Sequence, residues 1–253
     1  MLSLVGLGLN DEKDLTLKGL DIAKKAKKVY IELYTGYWHG NLKNLDKIVG
    51  KKISVLKRKD LEDDSGKILA EAKKSDIVIF VQGDPLVATT HGSLILDARK
   101  MKIKTRIIHN ASIVSAIAET GLHLYKFGQI VTIPFPEKTN GIPPQSVYDI
   151  ISRNKLAGLH TLCLLDVVAD EKRYMLPQDA VKILLELEKK NGKKVFTENT
   201  EVIVAEKLGS DKPIIKYKRA EEMLILKFES YPAVLIIPGK LHFTEREFFG
   251  KKN

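Results

Sequence analysis

Three segments of this 253-residue chain end an apolar run in glycines, small side chains and a few polar groups: GLGLND at 6–11, QGDPLVATTH at 82–91 and HNASIV at 109–114. Glycine lets a main chain approach a ligand closely, with amide and carbonyl groups available to bind it. Asp84 either caps the turn that follows it or accepts a hydrogen bond from an amine or hydroxyl of a ligand. Ser112 is a common helix N-cap type, and the free amides of a helix starting at Ser112-Ile113 would favour a carboxylate. Taken singly, a turn or a cap accounts for each residue. Their shared position beyond the ends of apolar strands points to a small-molecule site.

Other chemistries are poorly served. Gly6-Leu7-Gly8 sits between a strand and a helix, but the third glycine of a dinucleotide fingerprint is replaced by Asp11, whose carboxylate would repel a pyrophosphate. No Gly-Lys-Ser/Thr occurs for a phosphate loop, no HExxH for zinc and no GxSxG nucleophile elbow. A metal is therefore not expected. The single cysteine, Cys163, lies inside the apolar run HTLCLLD, where inert core is the ordinary role. Of the six histidines, His91, His109, His123, His160 and His242 fall near the ends of strands or helices, and His39 lies in a loop beside Trp38. An enzyme without nucleophile, metal or phosphate loop works by orientation and electrostatics, which suits transfer from an already activated donor.

The elements that must position these groups alternate along the chain. Apolar runs LSLVGL, VYIELYT, ISVL, DIVIFVQ and TRIIHN are separated by segments of helical period such as LTLKGLDIAKKAKK, DLEDDSGKILAEAKKS and GSLILDARKM. The stretch FGQIVTIPFPEKTNGIPPQS holds four of the nine prolines and reads as a loop after a short strand. Alternation then resumes through SVYDIISRNKLAGL, HTLCLLDV, QDAVKILLELEKKNGKK, EVIVAEKLG, PIIKYKRAEEMLILKF and AVLIIPG. The expected fold is α/β, with two α/β lobes of mixed, largely parallel sheets at residues 1–112 and 113–253 and a ligand cleft between them.

Composition sets the outer bounds. An apolar content of 44% and a charged content of 29% are those of a soluble globular protein. No run approaches the length of a membrane span, and the N-terminal MLSLVGLGLNDEK reads as a strand entering a turn rather than a secretion leader. One cysteine excludes a disulfide framework, and a reducing cytoplasm is the natural setting. The net charge of +10 favours anionic partners, yet the lysines come in short pairs (24–25, 51–52, 189–190, 193–194) typical of solvated helix faces. Direct nucleic-acid binding is not required by this pattern.

The order GLGL, GDPLVATTH, HNASIVSAIAETGLHLYKFG, GLHTLCLLDV and IPGKLH resembles the diphthine synthases, methyltransferases of the tetrapyrrole-methylase-like class. The resemblance runs from Leu2 to about Phe249, and GDPLVATTH and TGLHLYKFG are its specific motifs. It implies a two-lobed homodimer binding S-adenosylmethionine in a folded conformation between the lobes. The substrate it implies is translation elongation factor 2, methylated on the amino group of a 3-amino-3-carboxypropyl chain carried by a histidine. The amine is carried to the trimethylammonium form in archaea, and the eukaryotic enzyme adds a methyl ester. On matching positions, the implied cofactor contacts are Leu9, Asp84, Val87, Ser112, Ile113, Leu165, Leu208 and Ala233, the last through its main chain.

Methyl transfer from a sulfonium is an in-line displacement needing the acceptor nitrogen about 3 to 3.5 Å from the methyl carbon. The amine must also be unprotonated, which partial desolvation promotes. His91 and His123, in the most family-like stretches, are candidates to take the proton, or else support other groups by hydrogen bonding. Two rivals remain open at this level: a corrin or porphyrin precursor methyltransferase of the same class, and a non-catalytic basic module binding RNA or the ribosome.

Overall fold

Strands whose every residue is buried need cover on both faces, and that requirement organises the first half of the chain. The computed structural model describes residues 1–228 and 231–250, and the chain forms two units, Met1–Ala116 and Ile117–Asn253. In the first, β1 (Leu2–Gly6) and β4 (Ile77–Val81) are buried along their whole length. With β2 (Lys28–Glu32), β3 (Ser54–Leu56) and β5 (Thr105–Ile108) they form a five-stranded sheet of order β3-β2-β4-β1-β5. Every pair is parallel, as helical crossovers require.

The crossovers are α1 (Leu17–Lys25), α2 (Leu42–Val49), α3 (Arg58–Glu62), α4 (Gly66–Lys74) and α5 (His91–Lys100), followed by the single turn α6 (Ile113–Ala116). Local signals set their ends. Thr16 Oγ1 accepts the Gly19 amide at 3.0 Å to start α1, and Asn41 caps α2, which stops at Gly50 in the left-handed region with φ 73°. Apolar faces of these helices close over the sheet, with Ala23, Leu45 and Val49 packed against Val5, Ile31 and Phe80.

The second unit contains β6 (Val131–Ile133), α7 (Gln145–Leu156), β7 (Thr161–Leu165), a small ribbon of β8 (Val167–Val168) and β9 (Arg173–Tyr174), α8 (Pro177–Asn191), β10 (Glu201–Glu206), β11 (Ile214–Arg219), α9 (Ala220–Ile225), β12 (Ala233–Ile237) and α10 (Phe243–Phe248). Its main sheet has the order β11-β10-β12-β7-β6. Only β6 and β7 pair in parallel; the β10/β11, β10/β12 and β12/β7 pairs are antiparallel. The physical reason lies in connection length, because β10 turns directly into β11 at Lys207–Gly209, where Lys207 (φ 52°) and Gly209 (φ 82°) are left-handed. α7 and α8 bury Ile151, Val181 and Leu184 against Cys163, Val204 and Leu235 of the sheet. Among the described residues, no helix is long and apolar enough to cross a membrane.

Candidate functional site

The sheet order of the first unit makes β4, β1 and β5 neighbours, so the segments that follow their carboxyl ends meet at one edge. Leu9 follows β1, Asp84 and Val87 follow β4, and Ser112 and Ile113 follow β5. Close approach is built into the backbone. Gly8 and Gly83 exchange hydrogen bonds of 3.3 and 2.8 Å, and a Cβ on Gly6 would stand 2.5 Å from the Gly83 carbonyl oxygen. Only glycine at 6 lets the strand ends close this far.

Side chains then lock the three ends together. Asp84, nearly buried, accepts from the Leu86 amide at 3.0 Å through Oδ1, and from His109 Nδ1 at 2.8 Å and the Asn110 amide at 3.2 Å through Oδ2. Asn110 Nδ2 donates to the carbonyls of Gly6 at 3.0 Å and Asp14 at 2.9 Å. Asp14 in turn accepts the Leu9 and Asn10 amides at 3.1 and 2.7 Å, while Asp11 caps the short turn Glu12–Asp14 through Lys13 at 2.8 Å. Asp84 thus caps its turn and also ties β4 to β5, and Asp11 is a turn cap. Asp14 and Asn110, which motif reading does not single out, complete the lock. Their one sequence signal is that short polar residues crowd the strand ends.

This edge has a definite chemical character. Its bonded polar groups are the carboxylates of Asp11, Asp14 and Asp84, the His109 ring and the Asn110 amide, with main-chain amides and carbonyls, an acid-weighted set that suits a ligand without phosphate. Gly83 adopts φ 65°, and a Cβ there would only reach van der Waals distance of Ala111 and Ser112, at 3.8 Å. Gln82 Oε1, one residue before Gly83, is buried without a hydrogen-bond partner among the described residues, so polar capacity remains unmet beside the loop.

In the second unit the register brings the three remaining expected contacts to one sheet edge. Leu165 ends β7 and Ala233 begins β12, whose next residue, Val234, pairs with Leu164. Ala233 also pairs with Glu206 at the end of β10, two residues before the buried Leu208. Cys163, at the middle of β7, has no exposed surface, and burial pushes its thiol pKa up, so it remains a neutral core residue.

The two candidate histidines have different surroundings. His91 is buried at the start of α5, with Nδ1 3.2 Å from the Pro85 carbonyl and Nε2 3.4 Å from the Tyr34 hydroxyl. His123 is half-buried; its amide donates to Glu245 at 2.9 Å and its Nε2 lies 3.1 Å from Thr244 Oγ1. Glu245 is a hub that sequence reading missed, visible only as the fourth residue of a HFTE capping pattern on α10. It also binds Lys126 at 2.5 Å, His160 Nε2 at 3.0 Å and the His242 amide at 2.6 Å. Burial alone would raise its pKa, but these four donors outweigh burial and hold it at about 2. Burial likewise lowers the His160 pKa; the neutral ring donates from Nε2 and accepts the Gly239 amide on Nδ1 at 2.9 Å. Among the described residues no group of three or more histidine, cysteine or acidic side chains is arranged to hold a metal ion.

Comparison with known proteins agrees with this architecture. Residues 1–223 match the family of tetrapyrrole (corrin/porphyrin) methylases. The diphthine synthase of Methanocaldococcus jannaschii is 45% identical over 250 residues, covering 98% of this chain and 96% of that protein. The diphthine synthase of Methanococcus maripaludis is also 45% identical, with the same coverage. A crystal structure of diphthine synthase superposes with a TM-score of 0.89 at 33% identity, covering 98% of this chain and 94% of the other. With a family match over residues 1–223, 45% identity over nearly the whole chain and a closely superposing fold, the chain belongs to the diphthine synthase family of the tetrapyrrole methylase class.

Proposed function

We propose that this protein, by family membership a methyltransferase of diphthamide biosynthesis, uses S-adenosylmethionine to trimethylate the amino group of a 3-amino-3-carboxypropyl-histidine on translation elongation factor 2. The observation that carries the reading is the locked edge formed by Gly8, Gly83-Asp84 and Asn110, whose carboxylate-rich, phosphate-averse polar groups suit a sulfonium compound. In this reading the cofactor contacts are Leu9, Asp84, Val87, Ser112, Ile113, Leu165, Leu208 and Ala233. The bound cofactor supplies an activated methyl group. The chain's own residues fix its orientation, keep bulk water away and hold the acceptor nitrogen in line. They also favour the neutral amine, because a desolvated ammonium has a lowered pKa. By the same resemblance the enzyme works as a homodimer in the cytoplasm.

His123 is the better candidate to pass the acceptor's proton to solvent, since it is partly exposed while His91 is buried. A radiolabelled methyl donor offered with purified elongation factor 2 and, separately, with a tetrapyrrole precursor tests the substrate. Mass spectrometry of the acceptor histidine should show three added methyl groups. Label on the tetrapyrrole alone would overturn the proposal in favour of the wider class.

A further inference from the structure

The loop from Gln82 to Thr90 uses two left-handed residues, Gly83 at φ 65° and Ala88 at φ 55°. Alanine in that region is disfavoured by its Cβ, so other contacts must hold the turn. At the Asp84 end the carboxylate does this through Leu86, His109 and Asn110. At the other end a single acceptor gathers two side chains. The Pro85 carbonyl receives the Thr89 hydroxyl at 2.8 Å and His91 Nδ1 at 3.2 Å. Thr90 is turned away, its hydroxyl donating to Glu62 at 2.8 Å. The ATTH half of GDPLVATTH is thereby accounted for residue by residue: Ala88 makes the turn, Thr90 anchors it outward, and Thr89 and His91 clamp Pro85.

The ring of His91 has a defined proton arrangement. A carbonyl only accepts, so Nδ1 carries the hydrogen. Nε2 faces the Tyr34 hydroxyl at 3.4 Å. Burial, with Glu32 and Glu62 nearby, pushes the Tyr34 pKa up, which keeps the phenol a donor. Tyr34 is itself fixed through its amide, which donates to the buried Glu32 carboxylate at 3.0 Å, and Arg58 stands 5.1 Å over its ring. The chain of contacts runs Glu32, Tyr34, His91, Pro85.

Taking the cofactor reading above as its premise, we propose that Thr89 and His91 are positioning residues. They clamp the Pro85 carbonyl so that the main chain from Asp84 to Val87 is already in its ligand-binding shape, and His91 is not the proton acceptor. Preorganisation of this kind raises affinity by removing the ordering that binding would otherwise require.

The test has two arms. Calorimetry with S-adenosylhomocysteine compares Thr89→Val and His91→Leu, which remove one clamp bond each, with Thr89→Ser and His91→Asn, which keep a donor in place. The first pair should raise Kd about tenfold each, the scale of one buried hydrogen bond. The second pair should regain most of that loss, and kcat at saturating cofactor should change less than about twofold in all four. Nitrogen-15 NMR of the ligand-free protein should find His91 protonated on Nδ1. An unchanged Kd in both Thr89→Val and His91→Leu, or an Nδ1 without a proton, would overturn the clamp. A collapse of kcat in His91→Asn with Kd intact would make His91 the proton acceptor instead. If the unaltered protein failed to bind S-adenosylhomocysteine, the cofactor reading and the purpose given to the clamp would fall together. The tautomer measured without ligand would then still decide whether the clamp exists.

Discussion

Glu245 has no exposed surface and yet stays ionised, because Lys126, His160 and the amides of His123 and His242 all donate to it. Its pKa of about 2 lies below the ordinary 4.5, so its contribution to stability is present above pH 4.5 and is lost as pH falls toward 2. His160 acts in the same direction, starting higher. Its pKa is lowered from 6.5 mainly by burial, so the folded ring resists the proton that the unfolded chain accepts, and acidification below 6.5 begins to destabilise. Glu245→Gln leaves Lys126 facing a neutral amide and is expected to lose about 3 kcal/mol at pH 7, the scale of the pKa displacement and of a broken buried pair. The gap from the unaltered protein should then close as pH falls below 4.5, because the unaltered carboxyl must itself take up a proton. Urea unfolding at pH 7 and at about pH 3 measures both ends. A gap that stays constant would mean that packing of α10, not ionisation, sets the value.

At the scale of elements, two glycines that look alike in sequence have opposite roles. Gly239 follows β12, and a Cβ there would stand 2.4 Å from the Leu159 carbonyl oxygen, a main-chain atom that cannot swing aside. Gly92 lies in the first turn of α5 with nothing within 4 Å of its Cβ position. Gly239→Ala should therefore destabilise by about 2 kcal/mol or more through backbone displacement, and Gly92→Ala should stabilise by about 0.5 kcal/mol through helix propensity. Thermal midpoints of the two variants, moving in opposite directions, would check this. The pair marks what sequence reading reaches. The parallel first sheet was legible because LSLVG and IVIFV are apolar without interruption and alternate with helical segments, and the strand-end motifs followed from it. The mixed second sheet was harder to read, because β10, β11 and β12 lie close in sequence and a strand's pattern does not state its partner's direction. Least legible were side-chain hubs such as Glu245 and Asn110, whose partners lie up to 122 and 104 residues away along the chain.

For the molecule as a whole, the relevant quantity is the +10 net charge and its effect on encounter with the large protein acceptor proposed above. Exposed charges act over distance only while the screening length spans it, so at low salt they act on encounter more than on the bound complex. Part of the positive field is far from the loops that follow the strands. Lys27, Lys28, Lys51 and Lys52 line a cavity of about 440 Å³ beside the start of β2 and β3, at the opposite end of the sheet from Asp84. Two of these are already committed: Lys28 pairs with Glu71 at 2.8 Å, and Lys51 binds carbonyls at the end of α1. Lys27→Glu with Lys52→Glu lowers the net charge by 4, from +10 to +6, without touching the cofactor loops. If the whole field steers the acceptor, kcat/KM for elongation factor 2 should fall several-fold in this double variant at low salt, while kcat stays nearly constant. Raising salt from about 0.01 to about 1 M shortens the screening length from about 30 to about 3 Å, so it should slow the unaltered enzyme and erase the difference between the two. Rates indifferent to salt in both proteins would leave the lysines as solubilising faces alone, and orientation at the site would then rest on short-range contacts around the Asp84 loop.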